Sequence, residues 1–127
     1  LYGADNPATV IAESNLSLLL RDAGDLAGAE AHGRASVEHA NAAFGSNAMR
    51  AIMSREYATV LIRAHRYAEA ETQLGHAWSV FTQADGFGAN HPRAQDVVDS
   101  YVELYRAWPK PERLAQWQAR KAAPKET

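Results

Sequence analysis

Apolar residues recur at helical spacing in three separate stretches of this chain, and the three stretches align with one another. The first row is Ala12, Leu16, Leu19, Leu20 and Ala23. The same i, i+4, i+7, i+8 pattern returns at Met53, Tyr57, Val60, Leu61 and Ala64, then at Val97, Tyr101, Leu104, Tyr105 and Trp108. Such spacing collects the apolar side chains into one stripe on one face of a helix. A second kind of row follows the first two: Leu26, Ala29, Gly33, Ser36, Ala40, and Tyr67, Ala70, Leu74, Ala77, Phe81. Its small members allow two helix backbones to approach closely. No stretch alternates with period two for long enough to make a strand. The pattern predicts six helices in three hairpins, with short turns at 23–26, 64–67 and 108–111 suited to antiparallel pairs.

The rows are copies of one unit. Residues 15–31 align with 56–72 at an offset of 41, and residues 16–30 align with 101–115 at an offset of 85. A punctuation mark repeats with them: Tyr2-Gly3, Phe44-Gly45 and Phe87-Gly88, each followed by a small residue and then Asp or Asn. In this reading the aromatic closes a second helix and the glycine takes the left-handed conformation that ends it. Asn6 then caps the next helix and Pro7 opens it. At the third joint Asn90 is the expected cap in preference to His91, and the middle joint relies on Ser46 or Asn47.

Composition adds bounds. At 127 residues, 46% hydrophobic and 22% charged, the chain is long enough for one modest core and too apolar for wholesale disorder. Thirteen basic residues against fifteen acidic ones give a net charge of −2, which offers no electrostatic reason to expect nucleic acid. The absence of cysteine excludes disulfides and thiolate metal sites. No apolar run approaches the roughly 20 residues of a membrane span, so no membrane partner is expected.

With these residues in view, the chain resembles tandem tetratricopeptide repeats, in the roughly 42-residue variety found in kinesin light chains and bacterial signalling proteins. Leu16, Ser17, Leu20, Gly24, Leu26 and Ala29 carry the pattern in the first copy; Tyr57, Ala58, Leu61, Tyr67, Ala70 and Ala77 carry it in the second. His65 stands where the turn glycine is wanted. The third copy keeps Tyr101 and Tyr105 and departs at Pro109, Pro111, Leu114 and Lys121. The resemblance implies an all-α fold, a right-handed α-solenoid of three helix-turn-helix hairpins and six helices. Its repeats would cover about 3–43, 45–86 and 88–121, the last a C-terminal cap, with a polar tail at 122–127. Leu1-Tyr2 reads as the stub of an earlier helix, so a preceding repeat is expected to cover the front face of the first hairpin.

Candidate chemistry is sparse. His32 and His39 lie too far apart along one helix for a metal, and His65, His76 and His91 sit in unrelated places, so neither a metal nor another cofactor is expected. Gly86-Phe87-Gly88 lacks the Gly-Lys-Ser/Thr of a phosphate loop. Glu69/Glu71 and Asp96/Asp99 read as solvated faces. Trp78, Trp108 and Trp117 read as packing anchors, and Arg113, Arg120, Lys121 and Lys125 as complements to the last helix dipole.

What the resemblance implies instead is a concave groove lined by the first helices. From the first copy come Ser14, Asn15, Leu18, Arg21 and Asp22, with Ile11. The second contributes Arg55, Glu56, Thr59, Ile62 and Arg63, with Ile52. The third contributes Asp96, Asp99, Ser100, Glu103 and Arg106. Asn15 resembles an asparagine that contacts ligand backbone in this subfamily, while Glu56 and Ser100 break the ladder. The expected function is a non-catalytic protein-interaction module that binds a peptide of mixed charge, with self-association through the uncapped first hairpin as a further route. The alternative is a regulatory or sensor region of a bacterial serine/threonine protein kinase, whose tail the stretch 102–120 resembles. The expected compartment is cytoplasmic, or extracytoplasmic if that parent is membrane-anchored.

Overall fold

The computed structural model describes residues 5–44, 47–83 and 88–122. Six helices follow in order: α1 (Pro7–Ala23), α2 (Leu26–Phe44), α3 (Asn47–Arg63), α4 (Tyr67–Gln83), α5 (Pro92–Ala107) and α6 (Pro111–Ala119). Among the described residues there is no strand, so the fold is all-α. The turns at 23–26, 64–67 and 108–111 fall where the periodicity breaks. Each helix packs on its neighbours in sequence, and the first helices of adjacent hairpins also touch, α1 on α3 and α3 on α5. None of the helices is long and apolar enough to cross a membrane.

Local chemistry explains most helix ends. Asn6 accepts the Ala8 amide at 2.9 Å and Pro7 opens α1. The Asp25 side chain accepts the Gly28 amide at 3.0 Å in the first turn of α2. At α5 the cap is His91, whose Nδ1 accepts the Arg93 amide at 3.1 Å, and not the expected Asn90. The cap must stand directly before the first helical residue, here Pro92, and the imidazole reaches from there. Gly88 does not take a left-handed conformation; its carbonyl accepts the His91 amide at 3.0 Å. Among the described residues the left-handed ones are Gly24 and His65, in the turns inside the first two hairpins, at φ 89° and 61°. Gly3, Gly45, Ser46 and Phe87 lie outside the described residues, as does most of the Gly86–Gly88 stretch.

The core runs through the middle of the molecule. Leu61, Leu74, Phe81, Val97, Val98 and Leu104 are buried, with Tyr57, Tyr101, Tyr105 and Trp117 packed among them. Each large apolar side chain so buried stabilises the fold by about 1.5–3 kcal/mol before entropy is charged against it. α3 is buried well beyond its single expected stripe: residues 57–62 are all buried, because α1, α2, α4 and α5 surround the helix. The aromatic anchors link α4, α5 and α6. Trp117 stacks on Tyr101 at 3.7 Å between centroids and meets the Trp78 ring edge-on at 5.0 Å. Trp108 lies between Tyr67 and Tyr105.

The row expected to form the core of α1 is instead largely open. Leu16 is 39% and Leu19 67% exposed; Ala12 and Ala23 are exposed and Leu20 is half-buried. The buried residues of α1 are Val10, Ser14 and Ser17. The physical reason is that no further described helix packs on that face: α1 contacts only α2 and α3 among the described helices. Equivalent positions on α3 and α5 are covered by the second helix of the hairpin before.

Candidate functional site

Seven side chains from the three first helices converge on one cleft of about 360 Å³. Leu18 and Arg21 come from α1, Arg55, Glu56, Thr59 and Arg63 from α3, and Glu103 from α5. They are brought together because α1, α3 and α5 lie side by side, so that one row on each helix faces the same solvent channel. The lining is mostly polar, with three guanidinium groups against two carboxylates.

Beneath this lining a set of hydrogen bonds stitches the first helices together. Ser14 donates its hydroxyl to Glu56, and Arg21 donates through Nη1 to the Thr59 hydroxyl at 2.7 Å. Thr59 in turn donates to the Glu56 carbonyl at 2.6 Å. On the other side, Arg55 Nε donates to the buried Ser100 hydroxyl at 2.9 Å. These bonds satisfy polar groups that the close approach of the helices has withdrawn from water. Arg63 carries no such tie and stands exposed at the rim. A hydrogen bond from Arg21 holds the Asp22 carboxyl below its usual range, and Arg63 adds to the effect.

The other expected groove residues are distributed as follows. Ser14, Ser100 and Ile62 are buried under the floor. Asn15 and Asp22 are exposed but outside the cleft lining. Asp96 lines a small neighbouring crevice with Ile52, Arg55, Glu56, Phe81 and Arg93. Asp99 and Arg106 line a separate, larger cleft with Val102, Glu103, Ala107, Gln118 and Lys121. Glu103 borders both clefts. Gln118 and Lys121 were not among the candidates, since only the folding back of α6 on α5 brings them there; Lys121 pairs with Asp99 across that cleft.

Elsewhere several charged groups are paired. His32 meets Glu13 and His39 meets Asp5, at 2.8 Å for the second. Glu71, expected to be simply solvated, accepts from the Tyr105 hydroxyl and from Arg113 at 2.9 Å, tying α4 to α5 and α6. Burial pushes the Tyr101 hydroxyl up to about 12 and raises that of Tyr105 as well, aided there by the bond to Glu71. Burial also lowers His76, with Arg50 nearby adding to the shift. Among the described residues no three His, Cys, Asp or Glu side chains gather as a metal site would require. No protein-family model, no curated protein and no solved structure matches the chain.

Proposed function

We propose that this chain is a tetratricopeptide-type α-solenoid that acts as a non-catalytic protein-interaction module, docking an extended peptide in the cleft between its first helices. The observation that carries the reading is the convergence of Leu18, Arg21, Arg55, Glu56, Thr59, Arg63 and Glu103 from three successive helices. A cleft that spans three repeats suits a chain-like ligand, which can meet each helix in turn. The three arginines favour carboxylates at one part of the ligand, and Glu103 favours a base at another. Because Arg21 and Arg55 already hold Thr59 and Ser100, their orientation is fixed before a ligand arrives, which lowers the ordering cost of binding.

The test is selection of binders from a random peptide display library against the purified chain. Selected peptides are expected to perturb the amides around Arg21, Thr59 and Arg63 in NMR titrations. Arg63→Glu, at an exposed position, is expected to weaken them by about tenfold while leaving the circular dichroism unchanged. Peptides that map to another surface and ignore Arg63→Glu would refute the proposal.

A further inference from the structure

The three first helices carry one repeated face, and two of the three copies of it are covered. On α3 the row Met53, Tyr57, Val60 is at most 4% exposed, and on α5 the row Val97, Tyr101, Leu104 at most 5%. Their counterparts on α1 include Leu16 and Leu19, the open leucines described above. In both covered seams a second helix turns a glycine toward the central tyrosine. A β-carbon on Gly33 would lie 2.7 Å from the Tyr57 ring, and one on Gly75 would lie 3.5 Å from the Tyr101 hydroxyl. About one turn after each glycine stands an apolar residue, Val37 in α2 and Trp78 in α4. Leu16 is the counterpart of both tyrosines.

We infer that the open face of α1 is a docking site for one helix of a partner polypeptide, built as α2 is built. The helix carries a glycine opposite Leu16 and an apolar residue about one turn later, over Leu19. Charge narrows it further. In the α2–α3 seam Glu30 pairs with Arg66, and the first-hairpin counterpart of Arg66 is Asp25. The partner helix therefore carries a base where α2 carries Glu30. A second copy of this chain does not supply such a helix, because α2 and α4 both have their glycine faces packed in seams of their own. This site is distinct from the cleft between the first helices and does not depend on what that cleft binds.

The experiment uses the full chain, isotopically labelled, and a synthetic peptide with the sequence of α2 carrying Glu30→Lys. The peptide is held helical by a staple across positions 27 and 31, both exposed in the chain. The expected result is amide perturbation at Leu16 and Leu19, with tighter binding than the peptide that retains Glu30. Leu19→Glu in the chain, or Gly33→Leu in the peptide, is expected to weaken binding by at least about tenfold. Leu19→Glu alters an exposed side chain, so an unchanged circular dichroism spectrum verifies that the chain still folds. Three results overturn the inference: no perturbation at about 1 mM peptide; perturbation confined to α3, meaning that the peptide merely displaces α2; or self-association of the chain through α1 in sedimentation that the peptide does not compete away.

Discussion

Gly24 and His65 occupy the same place in successive hairpins, 41 positions apart, and both are left-handed. The hydrogen bonds around them match. Asp25 and Arg66 donate back to the Leu20 and Leu61 carbonyls at 2.9 and 2.8 Å, while Gly24 and His65 donate to Arg21 and Ile62. This is the Schellman ending, which demands positive φ at one residue. A β-carbon on Gly24 would meet nothing within 4 Å, so Gly24→Ala isolates the backbone cost and is expected to destabilise by about 1–2 kcal/mol. His65 already bears that cost, so His65→Gly is expected to stabilise by about 0.5–1 kcal/mol, the loss of its stacking on Tyr67 taking back part of the gain. Thermal denaturation of the two variants checks both signs. The sequence made the place of these turns legible but assigned the left-handed role to the glycines between hairpins, where Gly88 does not need it. His91 was legible too, since it lies 85 positions after the cap Asn6; its chemistry as a weak acceptor obscured what its position showed.

At the scale of helices, the two seam glycines look alike in sequence and differ in room. The close approach at Gly33 involves both the buried Tyr57 ring and the Ser17 hydroxyl, the latter 2.9 Å from an added β-carbon. Ser17 is itself held by the Ala29 carbonyl at 2.6 Å, so neither neighbour can retreat cheaply. Gly33→Ala is therefore expected to lose about 1–2 kcal/mol net, overpacking outweighing the gain in helix propensity. At Gly75 the nearest atom is at ordinary contact distance, and Gly75→Ala is expected to gain about 0.5–1 kcal/mol. Chemical denaturation measures both, and equal effects would contradict the seam geometry. Periodicity alone does not distinguish these cases, nor α1 from α3. Their stripes match position for position, yet Leu19 is open and Val60 fully buried. A stripe records which face a helix can bury; whether it is buried depends on the neighbour. The candidate groove shows the same limit: equivalent positions named all seven cleft residues, but Ser14, Ile62 and Ser100 sink beneath the floor because adjacent first helices approach closely.

Across the whole molecule, contacts pass only between near neighbours. α3 touches α1, α2, α4 and α5, whereas α6 packs along α5 and reaches α4 only through side chains, and α1 touches α2 and α3. Stability in such an arrangement is expected to be graded, with α3 and its neighbours the last to open. α6 is the place to test this, because its burial rests on Trp117, with Leu114 half-buried beside it. Trp117→Ala removes the ring stacked on Tyr101 and set against Trp78, at a cost of about 3–5 kcal/mol if the whole chain felt it. With no contact between α6 and the first hairpin, that cost is expected to fall on α6 and on the faces of α5 and α4 that hold Tyr101 and Trp78. Hydrogen exchange would then show α6 amides losing protection, α5 amides losing part of theirs, and those of α1 and α2 unchanged. A uniform loss along the chain would mean that the six helices open as one cooperative unit despite their nearest-neighbour packing. Glu71 sharpens the expectation, since its bond to Tyr105 remains when Trp117 is gone and keeps α5 seated on α4 after α6 has frayed.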